Sequence, residues 1–352
     1  MYRPCGTFDE NYTQTMAIIR TRKHWVLTIL GLACLMGMPL FLSGRLLHFI
    51  NLVGISMIAA QGLNLLIGFA GQISLGQSAF MAVGAYSAAL LTVHLHAPFW
   101  LAIPAACLTT GLVGVIFGAS SLRIKGFYLA MATLAAQLII PWLVVNVRTD
   151  LTGGSNAMLV PAPKLGSLVL NNQQTMFYLI IPLTCLTIFL VTNIARSRIG
   201  RAFVAVRDND LAAEMMGVNL MQYKLLAFFI CSFFAGLAGA LWAYWMRAIS
   251  PDQFNLMESI WFLGMIIVGG MGSVVGVAFG VIFIKLFDIV ITLYSPSLTS
   301  FMSPQLAQDA AAGLSPFVFG LIILVFLILE PRGLAHRWEI TKTYFRLWPF
   351  KY

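Results

Sequence analysis

The amino-acid sequence predicts an all-α integral membrane protein, a polytopic helical bundle of about ten transmembrane helices with glycine-broken segments. Three observations carry that prediction. Hydrophobic residues fill 60% of the 352 positions and charged residues only 9%, whereas a soluble domain carries about 25% charge. Mean hydropathy is +0.88. The apolar residues also fall in successive runs of about 20, the length that crosses roughly 30 Å of hydrocarbon.

Residues 1–24 are polar and end in Arg20, Arg22, Lys23 and His24, an expected cytoplasmic segment ahead of a membrane domain over 25–330. The first run, Trp25–Leu42, has basic flanks like a signal peptide. It is longer than the apolar part of such a peptide and no small-residue cleavage site follows it, so it reads as a retained first span. The next spans are Leu46–Phe69, Ile73–Leu95, Phe99–Ser120, Phe127–Val147, Met176–Ile194 and Leu225–Met246. Glu258–Tyr294 is too long for one crossing, and Gly269, Gly270, Gly272 and Gly276 interrupt its middle. It is expected to split into two shorter helices that bend at those glycines. The last run, Gly313–Leu329, stops at Glu330, Pro331, Arg332 and Gly333, leaving 331–352 as a tail.

The basic residues test the count of ten. With a cytoplasmic N-terminus, ten spans put 16 of the 21 Lys and Arg inside. These are Arg3, Arg20, Arg22 and Lys23, then Arg123 and Lys125, then five in residues 195–224, then five in the tail. Nine spans would send one of the basic segments outward, against the positive-inside rule. Ten spans also make 148–175 the one sizeable outer loop. The formal net charge of +9 is therefore an orientation signal and not a nucleic-acid footprint.

Within 195–224, Arg196, Arg198, Arg201, Arg207 and Lys224 stand against Asp208, Asp210 and Glu214. Such a charged stretch in an apolar chain is either a docking surface for a cytoplasmic partner or an amphipathic segment held on anionic membrane lipid by its arginines. A helix here would take Asp208 or Asp210 as its cap. It would place Leu211, Met215 and Val218 on one face and stop at Gly217 in a left-handed turn.

Catalytic chemistry has no foothold. The five histidines lie near helix ends in no ligand pattern, and the five cysteines are scattered singly, so no metal or cofactor is expected. There is no Walker A loop, dinucleotide fingerprint or GxSxG elbow. Ion-coupled transport needs charged side chains at mid-membrane, and only Lys285 and Asp288 lie well inside a span. Three residues apart, they can pair. They keep open a stand-alone secondary transporter or channel.

Neutral polar residues are more concentrated. Gln61, Asn64 and Gly68 repeat at helical spacing, and Gln72, Ser74, Gln77 and Ser78 follow in FAGQISLGQSAF. Amides are expensive in hydrocarbon, so Gln61, Asn64 and Gln72 read as lining a water-filled translocation path. For Ser74, Ser78 and the glycines, path lining and close helix packing are equal readings. A second break, VGGMGSVVG around Gly269, Gly270 and Gly272, lies in the other half of the chain. Paired breaks of this kind point to a route between two repeats.

Several blocks in one order carry a resemblance. GFAGQISLGQSAFMAVGAYSAALL, GFYLAMATLA, LTGGSN, GRAFVAVRDNDLAAEMMGVNLMQYK, ISPDQF, VGGMGSVVGVAFG and EPRGLA resemble the successive signatures of LivM-type permease subunits of branched-chain amino-acid ABC importers. The resemblance implies a bacterial inner-membrane subunit, whose two termini the charge pattern and ten spans put in the cytoplasm. It implies a homologous LivH-like permease, two cytoplasmic ATP-binding subunits and a periplasmic substrate-binding protein as partners, and ATP hydrolysis elsewhere. It also implies that Ala212, Ala213, Glu214 and Gly217 form a degenerate E-A-A-x-x-x-G coupling helix, bounded by Asp208 and Asp210 and presenting Leu211 and Met215 to the ATPase. Only Glu214 and Gly217 match that motif. Gln77 stands where many relatives have His, and Ala157 where a Gly is more usual. The cargo is thus a branched-chain amino acid or a related small polar solute such as urea or an amide.

Overall fold

Backbone groups in hydrocarbon find no water, so each apolar run satisfies its own peptide groups and folds as a helix. The computed structural model describes residues 22–122, 126–147, 149–165, 168–299 and 304–347. Most of the N-terminal segment, Arg123, Lys125, Arg148 and the last five residues lie outside them. The α-helices of six or more residues are α1 (Arg22–Gly37), α2 (Gly44–Asn64), α3 (Gln77–Val93), α4 (Phe99–Gly118), α5 (Phe127–Asn146), α6 (Gln173–Arg196), α7 (Arg198–Asp208), α8 (Asp210–Met215), α9 (Leu220–Met246), α10 (Leu256–Gly269), α11 (Val274–Thr299), α12 (Pro304–Leu329) and α13 (Gly333–Leu347). Pro104, Pro141, Pro182 and Pro316 sit inside four of them, as membrane helices tolerate.

Among the described residues, six helices are long and apolar enough to cross a membrane. The number rises to seven if the bent pair Gly313–Leu329 and Gly333–Phe345, which meet at 47°, is one span. That is fewer than ten full-length crossings, and the shortfall has a local cause. The Ile73–Leu95 run yields a helix of only 17 residues, because residues 73–76 stay non-helical. The Glu258–Tyr294 region does divide at its glycines: α10 is 14 residues long, and the chain turns at Gly270 (φ +110°) and Gly272 (φ +80°) before α11.

The core is built around α9, a 27-residue helix capped by Asn219, whose side chain accepts from Gln222 N–H. It packs against α2, α3 and α4. Small residues let it approach closely: a Cβ added at Gly84 would stand 2.5 Å from the Cα of Gly236, so the α3 and α9 backbones touch. At one end of the bundle, β1 (Met158–Leu159) pairs antiparallel with β4 (Ala248–Ile249) and β2 (Lys164–Leu165) with β3 (Leu168–Val169). The other end carries the α7–α8 hairpin and α13.

Candidate functional site

The site begins where α2 fails to end cleanly. Past Asn64 the helix widens into a π-turn over Leu65–Phe69, closed by Ala70 N–H donating to Leu65 O at 3.1 Å. Such turns collect at functional positions. The chain reverses at Gly71 (φ +67°) and returns beside α2 without helical structure until α3 starts at Gln77. Gln77 Nε2 donates to Ala59 O at 2.8 Å. Ala59 lies ten residues before Phe69, so α3 starts about 15 Å inside the bundle at 1.5 Å per residue.

A helix start at that depth needs partners for its free N–H groups, and Gly76 in the N-cap position offers no side chain. Two other helices supply them. Ser78 N–H donates to Ser259 Oγ of α10 at 2.9 Å and Ala79 N–H to Gln137 Oε1 of α5 at 2.9 Å. Ser259 Oγ–H also donates to Gln137 Oε1 at 2.9 Å, and Gln137 Nε2 donates to Phe254 O at 2.8 Å. Thr133 of α5 accepts from Leu75 N–H at 2.9 Å. Gln137, Thr133 and Ser259 are positions of the candidate site that the sequence reading missed. The available signal was a lone glutamine four residues after a threonine, on one face of an otherwise apolar run. Gln137→Leu keeps the volume but strands Ala79 N–H, Phe254 O and the Ser259 hydroxyl, at a loss of about 3 kcal/mol. Denaturant or thermal unfolding in detergent should show it, and an unchanged midpoint would remove the cap from the account.

The two glycine breaks, far apart in sequence, meet at the hairpin end. Asn64 Oδ1 accepts from Gly272 N–H at 2.9 Å, and Gln61 Nε2 donates to Val274 O at 2.7 Å. Arg207 Nη1 donates to Gly68 O at 2.7 Å and pairs with Asp208 at 3.0 Å. Gly269 packs against Gly276, and Gly270 against Arg332 O and Ala335. Of the expected path residues, Gln61, Asn64, Ser74 and Gln77 are fully buried; Gln61, Asn64 and Gln77 act as joints between separate elements, while Ser74 Oγ accepts from the nearby Gly76 N–H at 3.4 Å. Gln77 Oε1 accepts from Cys231 Sγ at 3.3 Å. Neither amide atom of Gln72 has a partner. Gln72 borders a cavity of about 340 Å³ shared with Arg207, Asp210 and Lys224, and Ser78 borders a smaller one.

The expected coupling segment forms two helices. Asp208 closes α7, and α8 spans only six residues. Neither aspartate is the cap, a correction to the expectation. Asn209 takes that place, its side chain accepting from Ala212 N–H at 3.1 Å, which leaves Asp208 to Arg207 and Asp210 to Lys224 Nζ at 3.7 Å. Gly217 takes φ +85° after the helix. Leu211 is 68% exposed, Met215 89% and Met216 85%, an apolar face with a carboxylate, Glu214, beside it. The hairpin is held to the bundle by Phe203 and Ala213, both buried.

A second correction concerns Lys285 and Asp288. They share a helix face but do not pair within 4 Å. Asp288 Oδ1 accepts from Ser315 Oγ on α12 at 2.7 Å, a closer partner that turns the carboxylate away from the lysine.

The family described as "Branched-chain amino acid transport system / permease component" matches residues 45–327. The high-affinity branched-chain amino acid transport system permease protein LivM of Escherichia coli K12 is 32% identical over 276 residues, 72% of this chain and 64% of that relative. The probable branched-chain amino acid transport permease protein LivM of Methanocaldococcus jannaschii is 23% identical over 66% of the chain and 67% of the relative. The autoinducer 2 import system permease protein LsrC of Escherichia coli O9:H4 is 26% identical over 87% of the chain and 86% of the relative. No solved structure matches. The chain is a multi-pass membrane protein and belongs to the family of branched-chain amino acid transport system permease components.

Proposed function

We propose that this chain is the translocation subunit of an ATP-driven (ABC) importer in the bacterial inner membrane, with both termini cytoplasmic. It would carry branched-chain amino acids or a related small polar solute delivered by a periplasmic binding protein. It pairs with a homologous permease and two cytoplasmic ATP-binding subunits, which hydrolyse the ATP. In this reading the short helices α1, α3 and α10 complete ten crossings together with the longer ones.

One observation carries the reading: an exposed helix is wired to the place where both backbone breaks meet. The apolar and acidic face of α8 stands out from the bundle, while Arg207, three residues before it, holds the π-turn at Gly68. A push on α8 therefore reaches Gly68, and through the Asn64–Gly272 contact it reaches the α10–α11 break. Gln61, Asn64, Gln72, Ser74, Gln77, Ser78, Gly269, Gly270 and Gly272 would then shift together as the path opens to alternate sides. Asp208, Asp210, Leu211, Glu214, Met215 and Gly217 form the receiving surface.

The test is to purify the chain with its ATPase and measure both assembly and uptake into proteoliposomes. Glu214→Lys reverses charge on the docking face, and Gly217→Pro forbids the positive φ that ends α8. Both should lower ATP-dependent uptake at least about tenfold, the factor that 1.4 kcal/mol of lost coupling produces. Uptake and assembly unchanged in both variants would remove α8 from the coupling role. Uptake by the chain alone, indifferent to ATP and lost in Asp288→Asn, would favour an ion-coupled carrier instead.

A further inference from the structure

Lys285 lies in α11, a membrane-spanning helix, with 7% of its surface exposed and no ion-pair partner among the described residues. An ionisable group in that position is rare and costly unless something compensates it. The lysine borders a small cavity whose other polar walls are Ser56, Ser78, Gln253 and Glu258. Gln253 is already occupied: its Oε1 accepts from Trp242 Nε1 at 3.1 Å and its Nε2 donates to Ala248 O. Glu258, half-buried, is the only carboxylate on the wall among the described residues, and it makes no ion pair with Lys285 within 4 Å. The remaining lining is apolar: Ile55, Met81, Trp242, Phe254 and Phe262.

A cation, a separate anion, free hydroxyls and an aliphatic–aromatic wall match one kind of small molecule. We propose that this cavity is a transit site for an α-amino acid with an aliphatic side chain. Lys285 Nζ takes the carboxylate, the Glu258 carboxylate takes the ammonium, and the wall formed by Ile55, Met81 and Phe262 takes the side chain. The inference rests on the importer reading and names the cargo class that this subunit itself recognises. The free volume is about 40 Å³, room for water only, so the site is seen closed. It opens when α11 swings on the break at residues 270–273 away from α2 and α10, carrying Lys285 outward and widening the gap to Glu258. Amino-acid binding then supplies the two charge partners that the protein withholds from each other.

The experiment uses the assembled permease–ATPase complex in detergent, with radiolabelled leucine as probe and no binding protein present. Saturable binding is expected in the wild type. Lys285→Met should weaken it at least tenfold, Lys285→Arg should retain it, and leucinol, which lacks the carboxylate, should compete at least tenfold less well than leucine. Retention of the wild-type thermal midpoint in Lys285→Met shows that the fold has survived. Wild-type-like binding by Lys285→Met, equal competition by leucinol, or no binding by the wild type overturns the site. ATP-driven uptake by the same complex in proteoliposomes, with the binding protein added, separates the two readings. Uptake that Lys285→Met leaves untouched keeps the importer and removes the site. Lysine-dependent binding without ATP-driven uptake keeps the site and removes the importer.

Discussion

Gly239→Leu is expected to leave no folded permease to purify. A Cβ at this position would stand 3.0 Å from Ala85 N and closer still to the backbone of Met81. The obstructing atoms are therefore main chain from α3, which cannot rotate aside as a side chain can. The α3–α9 contact has to open along its length, and α9 is the helix on which α2, α3 and α4 all rest. Overpacking of a well-filled interior costs about 1–3 kcal/mol when neighbours can adjust. Here they cannot, and the loss should exceed the upper figure. Gly320→Leu is the control, because nothing lies within 4 Å of a Cβ there. Size-exclusion profiles in detergent should show an aggregated Gly239→Leu beside a monodisperse Gly320→Leu. Two equally monodisperse proteins would mean that α3 and α9 do not touch as described.

The second large effect falls on transport with the fold left intact. Arg207→Ala removes the guanidinium that donates to Gly68 O at 2.7 Å, a side-chain hydrogen bond that ties the α7–α8 hairpin to the π-turn. A hydrogen bond from a charged donor is worth about 1.5–3 kcal/mol, and Arg207 is partly exposed, so the lower part of that range applies. Buried Phe203 and Val206 still seat the hairpin on the bundle. The variant should insert and bind its ATPase, hydrolyse ATP, and import solute at least about tenfold more slowly per ATP. Arg207→Lys, which keeps a charge but loses the planar fork, should recover part of the ratio. An unchanged ratio of uptake to hydrolysis in Arg207→Ala would disconnect α8 from the break.

Much of this architecture is legible in the residues themselves, because hydrocarbon allows so few alternatives. The spans from α4 to α6 follow their apolar runs to within a few residues, and the glycines at 269–272 mark a real interruption. What composition hides is depth. Ile73 to Gly76 are apolar or small enough to pass for helix, yet they run non-helical beside α2. The partners that make this possible, Thr133, Gln137 and Ser259, are contributed by helices 58 to 181 positions away. Asn209 does not stand out as a cap because two aspartates flank it, and each of those has an oppositely charged neighbour to satisfy. Likewise the three-residue spacing of Lys285 and Asp288 allows a pair, but Ser315 on α12 lies closer, and no local pattern reveals a neighbour on another helix. The two breaks could be seen separately. Their meeting at Gly68 and Gly272 is a tertiary fact.

The borrowed cap of α3 also sets limits on how the bundle can move. Its first turn is completed only while α5 and α10 stand beside it, since Gln137 Oε1 serves Ala79 and Ser259 at once. Pulling any one of the three away would leave buried donors without their partners. Small separations thus gain nothing and the three helices behave as a single keystone, either seated or dislodged. Motion of lower cost belongs to the elements hinged outside that keystone, among them α11 on the far side of its glycine turn.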